Sequence, residues 1–106
     1  MTVAIKALAD GQLSGSKATL YTTPASTKTI IKSITLVNTD ASARTINIYV
    51  KRTGTSRRIS PKDLSLAAGA YTAYSEVITL EAADLVEGDA SVTAVVDYTI
   101  SGVEET

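Results

Sequence analysis

Two runs of charged residues hold the chemistry this sequence offers. The first lies in VKRTGTSRRIS, residues 50–60, and just beyond it: Lys51, Arg52, Arg57, Arg58 and Lys62 surround a small polar turn centred on Gly54. Such a cluster can grip phosphate or an acidic protein surface. The second is Glu81, Asp84, Glu87 and Asp89. Paired carboxylates serve glycoside hydrolysis when they flank a cleft, and Asp84, Glu87 and Asp89 could give oxygens to calcium. Here they sit in turn-like sequence, and the spacing D-x-[DN]-x-[DN]-G is absent. Ser60 with Lys62 is a formal nucleophile–base pair. The usual base for a serine is missing, because the chain has no His, and with no Cys it lacks thiolate chemistry as well. Neither GxGxxG nor a Walker A pattern occurs. The expectation is a protein that is not an enzyme, with no catalytic, metal or cofactor site and no cofactor. The nine charged residues named are then candidates for protein contact.

The charges are sorted along the chain. Residues 1–62 carry all ten basic residues with only Asp10 and Asp40 against them, and residues 63–106 carry nine acids and no Lys or Arg. Unlike charges can pair across neighbouring strands of one subunit, each pair contributing a few tenths to about 1 kcal/mol. The basic hairpin can instead dock on the acidic face of another subunit, closing a ring. A phosphate grip is the third reading. It is disfavoured because the net charge is −1 and no aromatic lies between Val50 and Gly69 to stack a base.

What positions these residues is a run of short strands. Period-two alternation dominates, and no helical period persists. TVAIKALA (2–9), KATLYTT (17–23), TIIKSITLVNT (29–39) and RTINIYVKR (44–52) read as strands. Their punctuation is DGQLSGS (10–16), Pro24 and TDASA (39–43). The face switches within Ile30, Ile31 and Lys32, which predicts a bulge or a doubly buried extension. Ile46, Ile48 and Val50 share one face of the fourth strand. RRIS (57–60) starts another strand. SPKDLSL (60–66) reads as one helical turn capped by Ser60 with Pro61 at its first position. Strands follow at 67–75, at Val77–Leu80, briefly at Asp84–Val86, and at 91–102, where Val92, Val96, Tyr98 and Ile100 share a face.

About eight short strands predict an all-β fold: a single antiparallel β-sandwich, jelly-roll-like, with an immunoglobulin-like sandwich as the alternative. The 106 residues make one domain, with an ordered core over 2–103 and a loose acidic tail at 104–106. No apolar run approaches the roughly 20 residues of a membrane-spanning helix, and the first residues lack a signal-peptide pattern. No membrane partner is expected. The five Tyr, at 21, 49, 71, 74 and 98, could make a sugar-stacking platform, but strand Tyr more often bury the ring and send the hydroxyl to the rim.

LYTTPASTKTIIKSITLVNTDASARTINIYVKR resembles a pattern of small virion proteins of tailed bacteriophages. There "L-Y-T-x-P-A" leads to "K-S-I-x-L-x-N-T", a short turn and "T-x-N-x-Y". The matching residues here are Leu20, Tyr21, Thr22, Pro24, Ala25, Lys32, Ser33, Ile34, Leu36, Asn38, Thr39, Thr45, Asn47 and Tyr49. RRISPKDLSLAAGAY and TLEAADLVEGDAS look like its continuation, except that Ala83-Asp84 stands where the pattern has Gly-Asp, calling a positive-φ turn there into question. The resemblance covers residues 18–103 and marks strands and turns, not catalysis. It implies a virion component assembled in the host cytoplasm, most simply a capsid decoration or cement protein. Its partners would be the major capsid protein or other virion proteins, and it would form a homo-oligomer, with a trimer favoured. A tail, neck or fibre-attachment component and a host-surface or carbohydrate binding module are the alternatives.

Overall fold

The structure, a computed structural model, describes residues 2–106. Ten strands follow one another: β1 (Val3–Gln12), β2 (Ala18–Thr22), β3 (Lys28–Asn38), β4 (Arg44–Arg52), β5 (Thr55–Arg58), β6 (Leu64–Leu66), β7 (Tyr71–Tyr74), β8 (Ile78–Leu80), β9 (Leu85–Ala90) and β10 (Val96–Glu105). They form two antiparallel sheets. The first has the order β1-β10-β3, with β7 and β8 on opposite ends of β3; the second has β2-β9-β4, with β5 and β6 on opposite ends of β4. If β5 with β6 and β7 with β8 each count as one broken strand, eight remain. Their order is then the jelly roll, in which the chain winds two Greek keys between two sheets.

The facing sides follow from alternation. Ile46, Ile48 and Val50 of β4 are buried as expected, and they meet Ile31, Ile34, Leu36 and Ile100 of the first sheet in one core. Ile31 and Ile34 are three apart, and both point inward because β3 bulges between them. The β10 partner of Ser33 is Ser101, and the next rung pairs Gly102 with Ile31, leaving Lys32 over. This is the bulge that the Ile30-Ile31-Lys32 switch predicts. Strand β1 bulges at the same level, at Leu8.

Several elements differ from the sequence reading. Asp10–Gln12 continue β1 rather than forming a turn, since β10 supplies rungs as far as Asp97. No helical turn forms at 60–66. Ser60 Oγ instead accepts the Ile48 N–H at 3.0 Å, and Leu64–Leu66 pair with Arg44–Ile46. Pairing with a central strand outweighs a local cap signal worth about 1 kcal/mol. The closing strand starts at Val96, after a turn through Ala94 at φ 64°. It does not end in a loose tail: Glu104 and Glu105 pair with Ala4 and Val3, and Thr106 exchanges two backbone hydrogen bonds with Thr2. Ala83 takes φ 72°, so the positive-φ turn persists without glycine. Its N–H is held by the Thr23 carbonyl at 3.1 Å, and the Asp84 carboxylate, accepting the Glu81 N–H at 2.9 Å, closes the turn. These bonds oppose a left-handed penalty of about 1–2 kcal/mol.

Candidate protein-interaction surfaces

Strands β4 and β5 form the expected hairpin. Thr53 and Gly54 at its tip have φ 53° and 83°, the positive pair of a two-residue type I′ turn. Alternation then divides the basic cluster between two faces. Tyr49 faces Arg58 and Lys51 faces Ser56 on the outer side, whereas Val50 faces Arg57 and Arg52 faces Thr55 on the side of the core. Lys62 lies apart, exposed on the β5–β6 loop.

The acidic residues belong to β9 and the turn before it, and β9 lies beside β4. The two blocks therefore adjoin within one chain, and among the described residues Arg52 and Asp84 are the ion pair these nine residues form. Arg52 crosses the sandwich, donating to the Thr79 carbonyl at 2.6 Å with its Nε 3.7 Å from Asp84. Glu87 is buried and accepts the Ser56 hydroxyl. Asp89 accepts from Asn47 Nδ2 at 2.9 Å and from the Tyr49 hydroxyl at 3.2 Å. Arg58 donates to Asn47 Oδ1 and lies over the Tyr49 ring, with its guanidinium carbon 5.0 Å from the centroid; Lys17, which the sequence reading passes over, lies 4.5 Å from the same centroid. Burial, then the Asp89 charge, pushes the Tyr49 hydroxyl pKa up, against the pull of Arg58. Glu81 stays exposed. Lys51, Arg57 and Lys62 make no ion pair among the described residues. The described residues also hold no group of three or more His, Cys, Asp or Glu placed to share a metal ion.

The Tyr residues are scattered rather than gathered into a platform. Tyr21 is in the core, Tyr49 lies under two cations on the second sheet, and Tyr71 is 71 % exposed on the far edge of the first.

A polar knot joins the sheets near the chain's two ends. The Tyr21 hydroxyl donates to Glu104 at 2.6 Å and lies 2.8 Å from the Thr29 hydroxyl, while Lys6 donates to the other Glu104 oxygen at 3.1 Å. Burial, then Glu104, pushes Tyr21 up to about 12. The Tyr21 hydrogen bond, then Lys6, holds Glu104 below its ordinary 4.5. A depressed carboxyl pKa stabilises the fold above the unfolded value, and that stability is lost as pH falls through the folded one. The thermal midpoint should therefore fall on acidification below pH 4.5, and more steeply than in Glu104→Gln, whose amide does not titrate. Parallel midpoint-versus-pH curves for the two proteins would contradict this. The sequence did signal the knot: Glu104 continues the inward parity of Val96, Tyr98 and Ile100 beyond the point where order was expected to end.

A third surface is apolar. Ile5 is 93 % exposed, Val3 57 % and Ile30 39 %. The rungs Ile5–Val103 and Val103–Ile30 place Ile5, Val103 and Ile30 in one row on the outer face of the first sheet.

No protein-family model and no curated protein matches the sequence. Solved structures do match in shape. A chain in the structure of infectious bursal disease virus, Gx strain, superposes with a TM-score of 0.52 at 15% identity, over 97% of this chain and 32% of its own. A chain of the Gt strain gives 0.47 at 12% identity, over 97% and 30%. A pentameric capsid protein isolated from metagenomic phage sequences gives 0.44 at 16%, over 92% and 59%. The chain spans about a third of the length of the bursal disease virus chains. At such identities the likeness is one of fold: this jelly roll has the architecture of a stretch within a chain of the Gx-strain virus.

Proposed function

We propose that this chain is a structural component of a virus particle, and within that class a decoration or cement protein of a tailed-phage head. The observation that carries the reading is the jelly roll itself, shared in outline with a chain of a virus structure. What it offers to partners is sheet faces, a strand edge and a basic hairpin. The sequence pattern ending at Tyr49 supports the phage assignment independently. In this role the domain sits on the outer face of the major capsid protein at local symmetry axes, as a homo-oligomer. It adds contacts that hold the shell against internal pressure.

Copy number in purified particles, measured by quantitative mass spectrometry against the major coat protein, tests the assignment. A ratio near that of the coat protein is the expected result. A trace ratio moves the chain to the tail, neck or fibre attachment, and absence removes the virion reading. Within the hairpin, Arg57 is the residue to probe, because Arg58 is tied to Asn47 and Tyr49. Arg57→Glu should weaken binding to particles about tenfold while leaving the melting temperature unchanged, as exposed charges act mainly across an interface. Undiminished binding would exclude the hairpin as the contact.

A further inference from the structure

We infer that β1 is a docking edge for a second copy of this chain, and that the two copies pair antiparallel about Ile5. The inference stands on edge geometry and does not depend on the virion reading. A sheet edge presents unpaired N–H and C=O groups, and proteins normally blunt it. Three of the four edges here are blunted. Strands β5 and β6, and β7 and β8, are short separate pieces, and β2 has five residues and stops before Pro24. Strand β1 has ten residues and, among the described residues, pairs only with β10. Its Leu8 bulge leaves Val3–Ala7 in regular register.

Which groups are free follows from the ladder. Thr2 and Thr106 exchange both backbone hydrogen bonds, at 3.1 and 2.8 Å. In an antiparallel pair such rungs alternate with rungs that exchange none. Ala4 and Lys6 therefore turn their N–H and C=O toward β10, while Val3, Ile5 and Ala7 turn theirs to the open edge. The residues with free backbone groups are also those whose side chains point to the outer, solvent-facing side. An incoming strand would satisfy the backbone of Val3, Ile5 and Ala7 and cover their side chains together.

The segment VAIKA complements itself over its whole length in one register. A two-fold axis at Ile5 sets Ile5 opposite Ile5 and Val3 opposite Ala7, and each free N–H meets a free C=O. Lys6 falls opposite Ala4, so no like charges meet, and its ammonium is already held inward by Glu104. An axis one residue later would set Lys6 against Lys6. The chosen register also joins the apolar rows of both copies into one, running Ile30–Val103–Ile5 and then Ile5–Val103–Ile30. This is an isologous contact that closes on itself.

Sedimentation equilibrium of the purified full chain tests it, with two variants. Wild type should be a dimer. Ile5→Lys, which places two ammonium groups at the axis, should weaken association about tenfold or more, with the far-UV circular dichroism unchanged. Because the chain has no Cys, Ile5→Cys reports the register directly. Opposed strand residues lie about 5.5 Å apart, within disulfide reach. Mild oxidation should therefore link Ile5→Cys to itself, leave Val3→Cys unlinked alone, and link Val3→Cys to Ala7→Cys in a mixture. A monomer at all concentrations, a trimer, a dimer that Ile5→Lys leaves intact, or equal self-linking of Val3→Cys would each overturn the inference.

Discussion

Gly102→Ala should destabilise the domain by about 3 kcal/mol or more, at the upper end of what overpacking does. Gly102 lies on β10, the central strand of the first sheet, between the bulges of β1 and β3. A Cβ there would stand 2.1 Å from the Ile30 carbonyl oxygen and 3.1 Å from its carbon, with Leu8 Cδ1 at 3.0 Å. Leucine can rotate away, but the Ile30 carbonyl belongs to a paired strand. Relief therefore requires moving β3 away from β10 where Ile31 enters the core. For a domain of this size, about 3 kcal/mol corresponds to a fall of roughly 12–24 °C in melting temperature. Gly54→Ala is the control. Gly54 has φ +83° and nothing within 4 Å, so only the left-handed backbone penalty of about 1–2 kcal/mol applies. Urea unfolding of both variants makes the comparison, and equal midpoints would mean that the sheet yields at the bulges more easily than its geometry indicates.

At Gly102 local sequence pattern and strand order each supply one half of the geometry. The bulge on β3 was legible, because three residues, Ile30, Ile31 and Lys32, break a strict alternation. Its consequence for Gly102, some seventy positions away, needed the strand order. The same holds for the charges. Clustering at Arg52–Arg58 and at Glu81–Asp89 is plain in the sequence, but that the clusters adjoin within one chain follows from β9 lying beside β4. Period-two patterns gave β4 to the residue because its core face is uniform. They failed at Ser60–Leu66, where a helix-cap sequence was read locally and β4 used Ser60 and Leu66 instead. The edge at Val3–Ala7 is legible in the sequence only as an apolar strand; that it is an edge, and which backbone groups it frees, depends on β1 having β10 as its single partner among the described residues.

Three of the motif residues, Tyr21, Asn38 and Asn47, tie separate elements together through their side chains, and Asn38 tests this most sharply. It is fully buried at the end of β3. Its Nδ2 donates to the Ser42 and Leu66 carbonyls, each at 3.0 Å, and its Oδ1 accepts the Asp40 N–H at 3.0 Å. Its backbone N–H reaches the Ala70 carbonyl at 2.9 Å. One side chain thus holds the β3–β4 turn in shape and fastens it to the strand and loop that lead from the second sheet back to the first. Asn38→Ala should cost about 3 kcal/mol, since it strands buried backbone groups that each cost about 1–3 kcal/mol unpaired. Asn38→Asp separates hydrogen bonding from volume. At neutral pH it keeps the acceptor for Asp40 but sets a carboxylate against two carbonyls, so it should be at least as damaging as alanine. Burial beside acceptors raises that carboxyl's pKa, and the protonated form donates one hydrogen bond. The destabilisation of Asn38→Asp relative to wild type should therefore shrink as pH is lowered, whereas that of Asn38→Ala should stay nearly constant. Thr39→Ala, one residue on and exposed, loses a 2.7 Å bond to the Val95 carbonyl and should cost only about 1 kcal/mol. Equal losses at Asn38 and Thr39 in denaturant titrations would mean that the turn is held by its backbone alone.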